Sequence, residues 1–213
     1  MKRKLFVIFP LLLLEILSFS QQSDEMKFLL DSNFKVVKSN VHHQKAYSDT
    51  LWTEDFNGGL STCWSIVNNN FNNYQWQWDT VHRVGQFSQG IPKINSTSNT
   101  NGFMLLPMDW FNSPLANGGV AFDTYFQSCA IPITSKASVE LRFQEFNLFC
   151  CSNRAKVVVQ VSTDNFQTFD EYNLRNEYIN FLLPNVEYRS INVSKTLANA
   201  DTAYLRFYLE GMT

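Results

Sequence analysis

Acidic side chains are the first candidates for chemistry, because a glycoside hydrolase needs two carboxyl groups roughly 5 to 9.5 Å apart. Glu140 and Glu145 are separated by an odd number of positions. In an unbulged strand, an odd spacing sends two side chains to opposite faces of the sheet. The adjacent Glu54 and Asp55 fail for the same reason. The acidic residues therefore do not predict a glycosidase.

Nucleophilic catalysis by a serine or a cysteine needs a base, which is most often a histidine. His82 is the only histidine after residue 50. No serine lies in a G-x-S-x-G motif. The sequence also has no glycine-rich phosphate loop and no His/Cys cluster with metal-ligand spacing. We therefore predict that the chain is not an enzyme.

Aromatic side chains suggest a different kind of chemistry, the recognition of a ligand by stacking. Trp76, Trp78 and Trp110, with Tyr74 and Phe111, fall in predicted loops. Flat rings at the rim of a domain stack on apolar sugar faces or on peptide side chains. Large aromatic residues are also mostly buried in globular proteins. We predict the three tryptophans as ligand-binding residues, with core packing as the alternative.

The elements that position these side chains are predicted to be strands. Val139, Leu141 and Phe143 alternate with polar residues, and the same period recurs over 157–161 and 203–209. Period-two alternation indicates strands with one buried face and one wetter face. Turn residues separate such runs, and no segment after residue 50 keeps a helical period. We predict an all-β fold, a two-sheet antiparallel jelly-roll sandwich.

The first 50 residues differ from the rest of the chain. A basic start at 2–4, an apolar run at 5–17 and the small residues of Ser18-Phe19-Ser20 predict a signal peptide over 1–20. A membrane anchor is the alternative, but spanning a bilayer takes roughly 20 apolar residues. Residues 21–50 predict a poorly ordered leader, and 51–213 the sandwich domain. The protein is then secreted or held at the cell surface.

Four cysteines, Cys63, Cys129, Cys150 and Cys151, fit an oxidising compartment. They allow three pairings. A bond between the adjacent Cys150 and Cys151 would close a strained ring, because neighbouring Cα atoms lie only about 3.8 Å apart. We favour pairing across the fold, with free buried thiols as the alternative.

Composition excludes one class of partner. The chain has a net charge of -2, and no Lys/Arg cluster occurs after the first four residues. Nucleic-acid binding needs such clusters to neutralise phosphates. We therefore expect no nucleic-acid partner. No segment after the predicted signal is apolar over the roughly 20 residues that a bilayer requires, so we also expect no membrane span after signal removal. The expected partners are an extracellular glycan or a matrix or surface protein.

Several short motifs occur in a recognisable order from residue 51 onward. They are the T-E-D-F-N-G-G opening at 53–59, the V-S-T-D turn at 161–164, and the strand Ala203-Tyr204-Leu205-Arg206-Phe207. Together they resemble the MAM-like or cleaved-adhesin type of jelly-roll domain found in secreted bacterial surface proteins. The resemblance implies a jelly-roll fold and a non-catalytic role in adhesion or ligand binding.

The same resemblance implies a structural calcium and a missing strand. Glu54, with Asp55 beside it, matches the acidic first-strand position that holds calcium in similar domains. Solvated acids are the alternative for these two residues. Phe166 replaces the family's turn glycine, so we expect a wider turn. The family's closing strand would begin at 210–213, so we expect a truncated chain, with a natural short form as the alternative.

Two hypotheses for function follow. The first is a non-catalytic extracellular adhesion or ligand-binding module for carbohydrate or protein. The alternative is an accessory domain of a larger secreted peptidase or glycosidase whose catalytic part follows Thr213. A downstream peptidase motif would favour the second hypothesis, and repeated sandwich modules would favour the first.

Overall fold

The computed structural model describes residues 6–8, 15–18, 49–70, 72–81, 83–85, 88–89, 92–111, 120–149, 155–174, 181–182 and 186–212. Within these ranges the elements follow one another as β1 (Phe6–Ile8), β2 (Glu15–Ser18), β3 (Asp49–Thr50), β4 (Trp64–Asn68), β5 (Gln77–Asp79), β6 (Phe103–Leu105), α1 (Met108–Phe111), β7 (Ala121–Ser128), β8 (Ile131–Pro132), β9 (Val139–Phe149), β10 (Lys156–Ser162), β11 (Asp170–Asn173), β12 (Phe181–Leu182), β13 (Glu187–Asn192), α2 (Ser194–Leu197) and β14 (Thr202–Met212).

The strands form two antiparallel sheets that pack on each other, which confirms the predicted all-β sandwich. In the β9 sheet, β9 pairs with β1, β2, β12 and β13, and β3 extends the sheet by pairing with β2. The β14 sheet has the order β11-β10-β14-β7-β4, with β8 beside the start of β14. A separate antiparallel pair joins β5 to β6.

Alternation along the strands builds the core between the sheets. Ala203, Leu205, Phe207 and Leu209 all point inward and have no exposed surface. The Phe207 ring stacks on Phe126 of the same sheet, with centroids 4.8 Å apart. Burying a phenylalanine stabilises a fold by about 2–3 kcal/mol. The period read from the sequence therefore gives the correct buried face.

The alternation along β9 predicts that its polar face is exposed to water. Gln144 lies on this face but is only 2% exposed. The loop at Thr97 covers it. The Thr97 backbone N–H donates to Oε1 of Gln144 at 2.9 Å, and Nε2 of Gln144 donates to Oγ1 of Thr97 at 3.1 Å. A buried amide is tolerated here because it finds partners on both ends.

Residues 51–56, which precede the turn residues Asn57-Gly58-Gly59, are also predicted from the sequence to form a strand, and this prediction is wrong. These residues form neither strand nor helix in the structure. The backbone N–H of Phe56 donates to the Glu54 side chain at 2.8 Å, and Phe56 has a φ of 51°. A side chain that bonds to nearby backbone competes with the ladder of a sheet, and a left-handed residue ends extended chain. The segment is therefore an ordered turn.

Parts of the predicted signal peptide lie against β9. Strand β1 pairs with β9 at Phe6↔Leu148, and β2 pairs with it at Leu17↔Glu140. Strand β3, at the end of the predicted leader, pairs with β2. The other residues of 1–48 lie outside the described ranges. Signal removal would take two neighbours from β9, and the cleavage itself stays a prediction.

A disulfide joins Cys63 to Cys129, with their Cα atoms 4.7 Å apart. Cys63 precedes β4, Cys129 follows β7, and these two strands are paired neighbours. The preference for pairing across the fold is therefore confirmed for this bond. Cys150 and Cys151 lie outside the described residues. Among the described residues, no helix has the length and apolar character that crossing a membrane requires.

Candidate ligand-binding cleft

The structure places the three predicted ligand-binding tryptophans in different environments. Trp76 is completely buried, and its ring meets Phe126 edge-on with centroids 4.8 Å apart. A side chain without exposed surface cannot stack on a ligand from outside. The binding role predicted for Trp76 is corrected here to core packing, the alternative that its size already favoured.

Trp78 is half-buried and supports a turn. Its indole Nε1 donates to the backbone carbonyl of Phe56 at 3.0 Å. The indole also lies against Gly102, where a Cβ atom would come within 2.5 Å of Nε1. These contacts hold the Phe56 turn against the chain before β6. Trp78 therefore stabilises the fold, and little of its ring surface remains accessible to a ligand.

Trp110 retains the surface that a ligand contact needs. It lies on the short helix α1 and is 48% exposed. With Asn73, Tyr74 and Phe111 it lines an open cleft of about 650 Å³. Ligand sites commonly enclose about 300–1,000 Å³ and combine apolar walls with a few polar groups. We call this the Trp110 cleft.

Helix α1 is fixed from its inner side. Met108 has no exposed surface and Asp109 is 2% exposed. Oγ of Ser88 donates to a carboxylate oxygen of Asp109 at 2.8 Å and accepts from the backbone N–H of Gly85 at 2.8 Å. Because Met108 and Asp109 anchor the helix, the next residue, Trp110, is presented outward on a rigid support.

The side of the cleft formed by Asn73 and Tyr74 is held in place by hydrogen bonds of asparagine side chains. The backbone N–H of Tyr74 donates to Oδ1 of Asn72 at 3.0 Å, and Nδ2 of Asn72 donates to the Ala121 carbonyl at 3.0 Å. Nδ2 of Asn68 also donates to Oδ1 of Asn72 at 3.1 Å. Asparagine side chains substitute well for backbone partners in turns. The Asn-rich segment therefore ties Tyr74 to β7.

The two walls meet through Tyr74 and Phe111. Their ring centroids lie 5.3 Å apart with the planes tilted by 54°, and the Tyr74 hydroxyl donates to the Phe111 carbonyl at 3.4 Å. Burial raises the pKa of Tyr74, so its hydroxyl stays protonated at neutral pH. The cleft thus offers rings, a neutral phenol and the Asn73 amide, which suit an uncharged ligand.

The acids at 54 and 55 make hydrogen bonds of their own. Glu54 accepts from the indole Nε1 of Trp64 at 2.9 Å and from the backbone N–H of Phe56 at 2.8 Å. Asp55 accepts from Nδ2 of Asn101 at 2.8 Å. Among the described residues, no group of three acidic, His or Cys side chains could hold a metal. The N–H groups that donate to Glu54 and Asp55 approach the oxygens that a cation would need. The calcium implied by the resemblance stays a prediction.

The acids considered for catalysis lie apart. Glu145 is fully buried on the inner face of β9, whereas Glu140 is half-buried on the outer face and bonds to Arg142 at 2.7 Å. Burial raises the pKa of Glu145 to about 7. The two carboxyl groups thus face opposite sides of the sheet, as their odd spacing predicted. His82 lies outside the described residues.

No protein-family model, curated protein or solved structure matches this chain. Its function is therefore inferred from its own residues. The sequence analysis named Tyr74, Trp110 and Phe111 among five candidate stacking aromatics, and the structure brings these three into one cleft. Asn73 was missed, since nothing distinguishes it from its neighbouring asparagines in the sequence.

Proposed function

We propose that this chain is a non-catalytic extracellular module for adhesion or ligand binding, and that its ligand, a carbohydrate or a protein side chain, binds in the Trp110 cleft. The observation that carries the proposal is the half-exposed Trp110 beside Tyr74 and Phe111. A large rigid ring held at a cleft gains contact area on binding and loses little conformational entropy.

Three observations support an extracellular role. The N-terminal residues have the composition of an export signal. The Cys63–Cys129 disulfide fits an oxidising compartment, because cytosolic thiols are kept reduced. The motifs from residue 51 onward resemble a jelly-roll module of secreted bacterial surface proteins. The proposed surface or secreted location agrees with all three.

The decisive experiment uses a glycan array together with a panel of immobilised matrix proteins. The wild-type protein should bind at least one member, and Trp110→Ala should weaken that binding by about 30-fold, the loss typical of a central aromatic contact. Phe169→Ala is the matched control, because Phe169 is similarly exposed, at 46%, and lies elsewhere. It should leave binding unchanged.

Two results would contradict the proposal. One is wild-type binding that Trp110→Ala does not weaken, which removes the cleft as the contact site. The other is the absence of binding to every glycan and protein of both panels. Circular dichroism of each variant checks that the fold is kept, and Trp110 is half-exposed, so its replacement should leave the core intact.

A further inference from the structure

The chain contains three Asn-Gly dipeptides, a sequence in which the asparagine side chain is open to attack by the next backbone nitrogen. They are Asn57-Gly58, Asn101-Gly102 and Asn117-Gly118. A glycine has no Cβ atom to shield its nitrogen, and its backbone adopts many conformations. The pair at 117–118 lies outside the described residues. The fold holds the other two pairs in different ways.

Asn57 and Gly58 are exposed in the turn that follows Phe56. The Asn57 backbone N–H donates to Oδ1 of Asp55 at 3.1 Å, and the Gly59 N–H donates to the Phe56 carbonyl at 3.2 Å. Within the part of the chain that the structure describes, neither the Asn57 side-chain amide nor the Gly58 N–H is bonded to another residue. A Cβ atom added to Gly58 would meet nothing within 4 Å. Both groups are therefore free to approach each other.

Asn101 and Gly102 are held at the same two groups. Nδ2 of Asn101 donates to Oδ2 of Asp55 at 2.8 Å. The Gly102 N–H donates to the Ser98 carbonyl at 3.2 Å. Gly102 is also buried against the Trp78 indole, where an added Cβ atom would lie 2.5 Å from Nε1. The Asn101 side chain can therefore reach the Gly102 nitrogen only after both hydrogen bonds have broken.

The reaction open to Asn57 needs only solvent water. The Gly58 nitrogen gives up its proton to solvent and attacks Cγ of Asn57, and the new N–Cγ bond closes a succinimide ring. The Cγ–Nδ2 bond breaks, and Nδ2 takes up a proton and leaves as ammonia. Water then opens the ring at one of its two carbonyl carbons. Addition at Cγ gives aspartate, and addition at the backbone carbonyl carbon gives isoaspartate, in which the chain runs through the former side chain.

Either product changes the turn that follows Phe56. A carboxylate at residue 57 would lie close to that of Asp55, which already accepts from the backbone N–H of Asn57, and like charges repel. Isoaspartate also adds a methylene group to the backbone inside the turn that the Gly59 N–H closes. The Phe56 carbonyl at this turn also accepts from the Trp78 indole at 3.0 Å. Isoaspartate at residue 57 should therefore weaken the contact between the turn and Trp78.

We propose that Asn57 is a site of spontaneous deamidation and isomerisation in the folded protein, and that the fold protects Asn101 from the same reaction. The free N–H of Gly58 beside the exposed Asn57 amide is the observation that carries the inference. The residues that line the Trp110 cleft do not include this pair. A negative result at Asn57 therefore leaves the proposed function standing.

The test is incubation of the whole protein at mildly alkaline pH, followed by peptide mapping with a mass-spectrometric method that separates aspartate from isoaspartate. In the folded protein, Asn57 should deamidate faster than Asn101 by about ten-fold or more, because two hydrogen bonds must break before Asn101 reacts. Asn101 is the matched internal control, since a glycine follows each asparagine. In urea that unfolds the protein, the two asparagines should react at similar rates.

Equal rates in the folded protein, or an Asn57 that stays unmodified there, would overturn the inference. A rate difference that persists in urea would also overturn it, because the local sequence would then be the cause. The melting temperature measures the effect on the turn. It should fall as isoaspartate accumulates in the wild-type protein and stay constant in Asn57→Gln, in which ring closure is much slower. A fall of the same size in Asn57→Gln would show that residue 57 does not weaken the turn.

Discussion

Glu145 is a carboxyl group that lies wholly inside the sandwich, on the same face of β9 as Phe143. Nδ2 of Asn147 donates to it at 2.9 Å, and Arg189 of β13 forms an ion pair with it. Burial raises its pKa to about 7, and the nearby Arg189 only partly offsets this effect. A charge without full hydration is costly inside a core.

This burial predicts a pH-dependent stability. An unfolded glutamate titrates near pH 4.5, so between that pH and about 7 the folded protein holds a proton that the unfolded chain has lost. The free energy of unfolding should therefore fall as the pH rises through this window. Glu145→Gln removes the titrating group and should reduce the fall between pH 5 and 8 by about 1–3 kcal/mol.

Urea unfolding at pH 5 and pH 8 measures the effect. Glu140→Gln is the control, because Glu140 lies on the outer face of the same strand and is half-buried. It should keep the wild-type pH dependence. An unchanged pH dependence in Glu145→Gln would show that another group is responsible.

Glu54 and Asp55 lead to a prediction about metal. Their carboxylate oxygens accept hydrogen bonds from Trp64, Asn101 and nearby backbone. A bound calcium would need these oxygens for itself. Because these hydrogen bonds occupy the carboxylate oxygens, EDTA should leave the melting temperature unchanged, as followed by differential scanning calorimetry. A clear drop in that temperature, restored by added calcium, would favour the metal site.

At the scale of elements, the turn at Phe56 and the start of β6 are joined through one glycine. Gly102 has a φ of 115°, and a Cβ atom there would lie 2.5 Å from the Trp78 indole nitrogen. The indole cannot easily yield, because it is rigid and its N–H is bonded to the Phe56 carbonyl. The turn and the β5–β6 pair therefore depend on close approach at this position.

Gly102→Ala should lower the free energy of unfolding by about 2–4 kcal/mol, from overpacking and from backbone strain together. Gly58→Ala is a matched control, since Gly58 also has a positive φ, 78°, but an added Cβ atom there would meet nothing within 4 Å. It should cost only about 1 kcal/mol. Chemical unfolding of both variants measures the difference, and equal losses would mean that contact with Trp78 is unimportant.

The elements also show what the sequence could predict. Alternation located β9, β10 and β14, because each lies in a sheet with one face in the core. The same parity that buries Phe143 also buries Glu145, so that signal was present. The Trp110 cleft was not predictable, since Tyr74 and Phe111 are 37 residues apart and meet only in the folded chain. The strand expected at 51–56 does not form, because a hydrogen bond from nearby backbone to the Glu54 side chain replaces pairing with a neighbouring strand.

At the scale of the molecule, described parts of the predicted signal peptide lie along β9. Strands β1 and β2 both belong to this predicted segment and pair with β9. Cleavage after Ser20 should give a mature chain that begins at Gln21. Intact-mass spectrometry of protein secreted by an expressing bacterium checks this. Secreted protein that retains residues 1–20 would contradict the signal assignment.

The Cys63–Cys129 disulfide constrains the unfolded chain between these two residues. It closes a loop with a sequence separation of 66, which includes β4 to β7 and the residues of the Trp110 cleft. The loop also contains Trp64 and Phe126, whose rings contact Phe56 in the core. Loops of this size are expected to contribute roughly 4 kcal/mol by loop-closure entropy, and about 2–4 kcal/mol is typical of measured bridges.

The double substitution Cys63→Ser/Cys129→Ser should therefore lower the free energy of unfolding by about 2–4 kcal/mol. The residues on either side, Trp64 and Ser128, are paired in the β4–β7 ladder, so the folded arrangement should persist. Urea unfolding measures the loss, and near-ultraviolet circular dichroism checks the aromatic core. Because the loop carries both Tyr74 and Trp110, the proposed ligand binding at the Trp110 cleft should survive at low temperature and should be lost at a lower temperature than in the wild-type protein. Binding lost at all temperatures, with the core signal intact, would mean that the bridge positions the cleft directly.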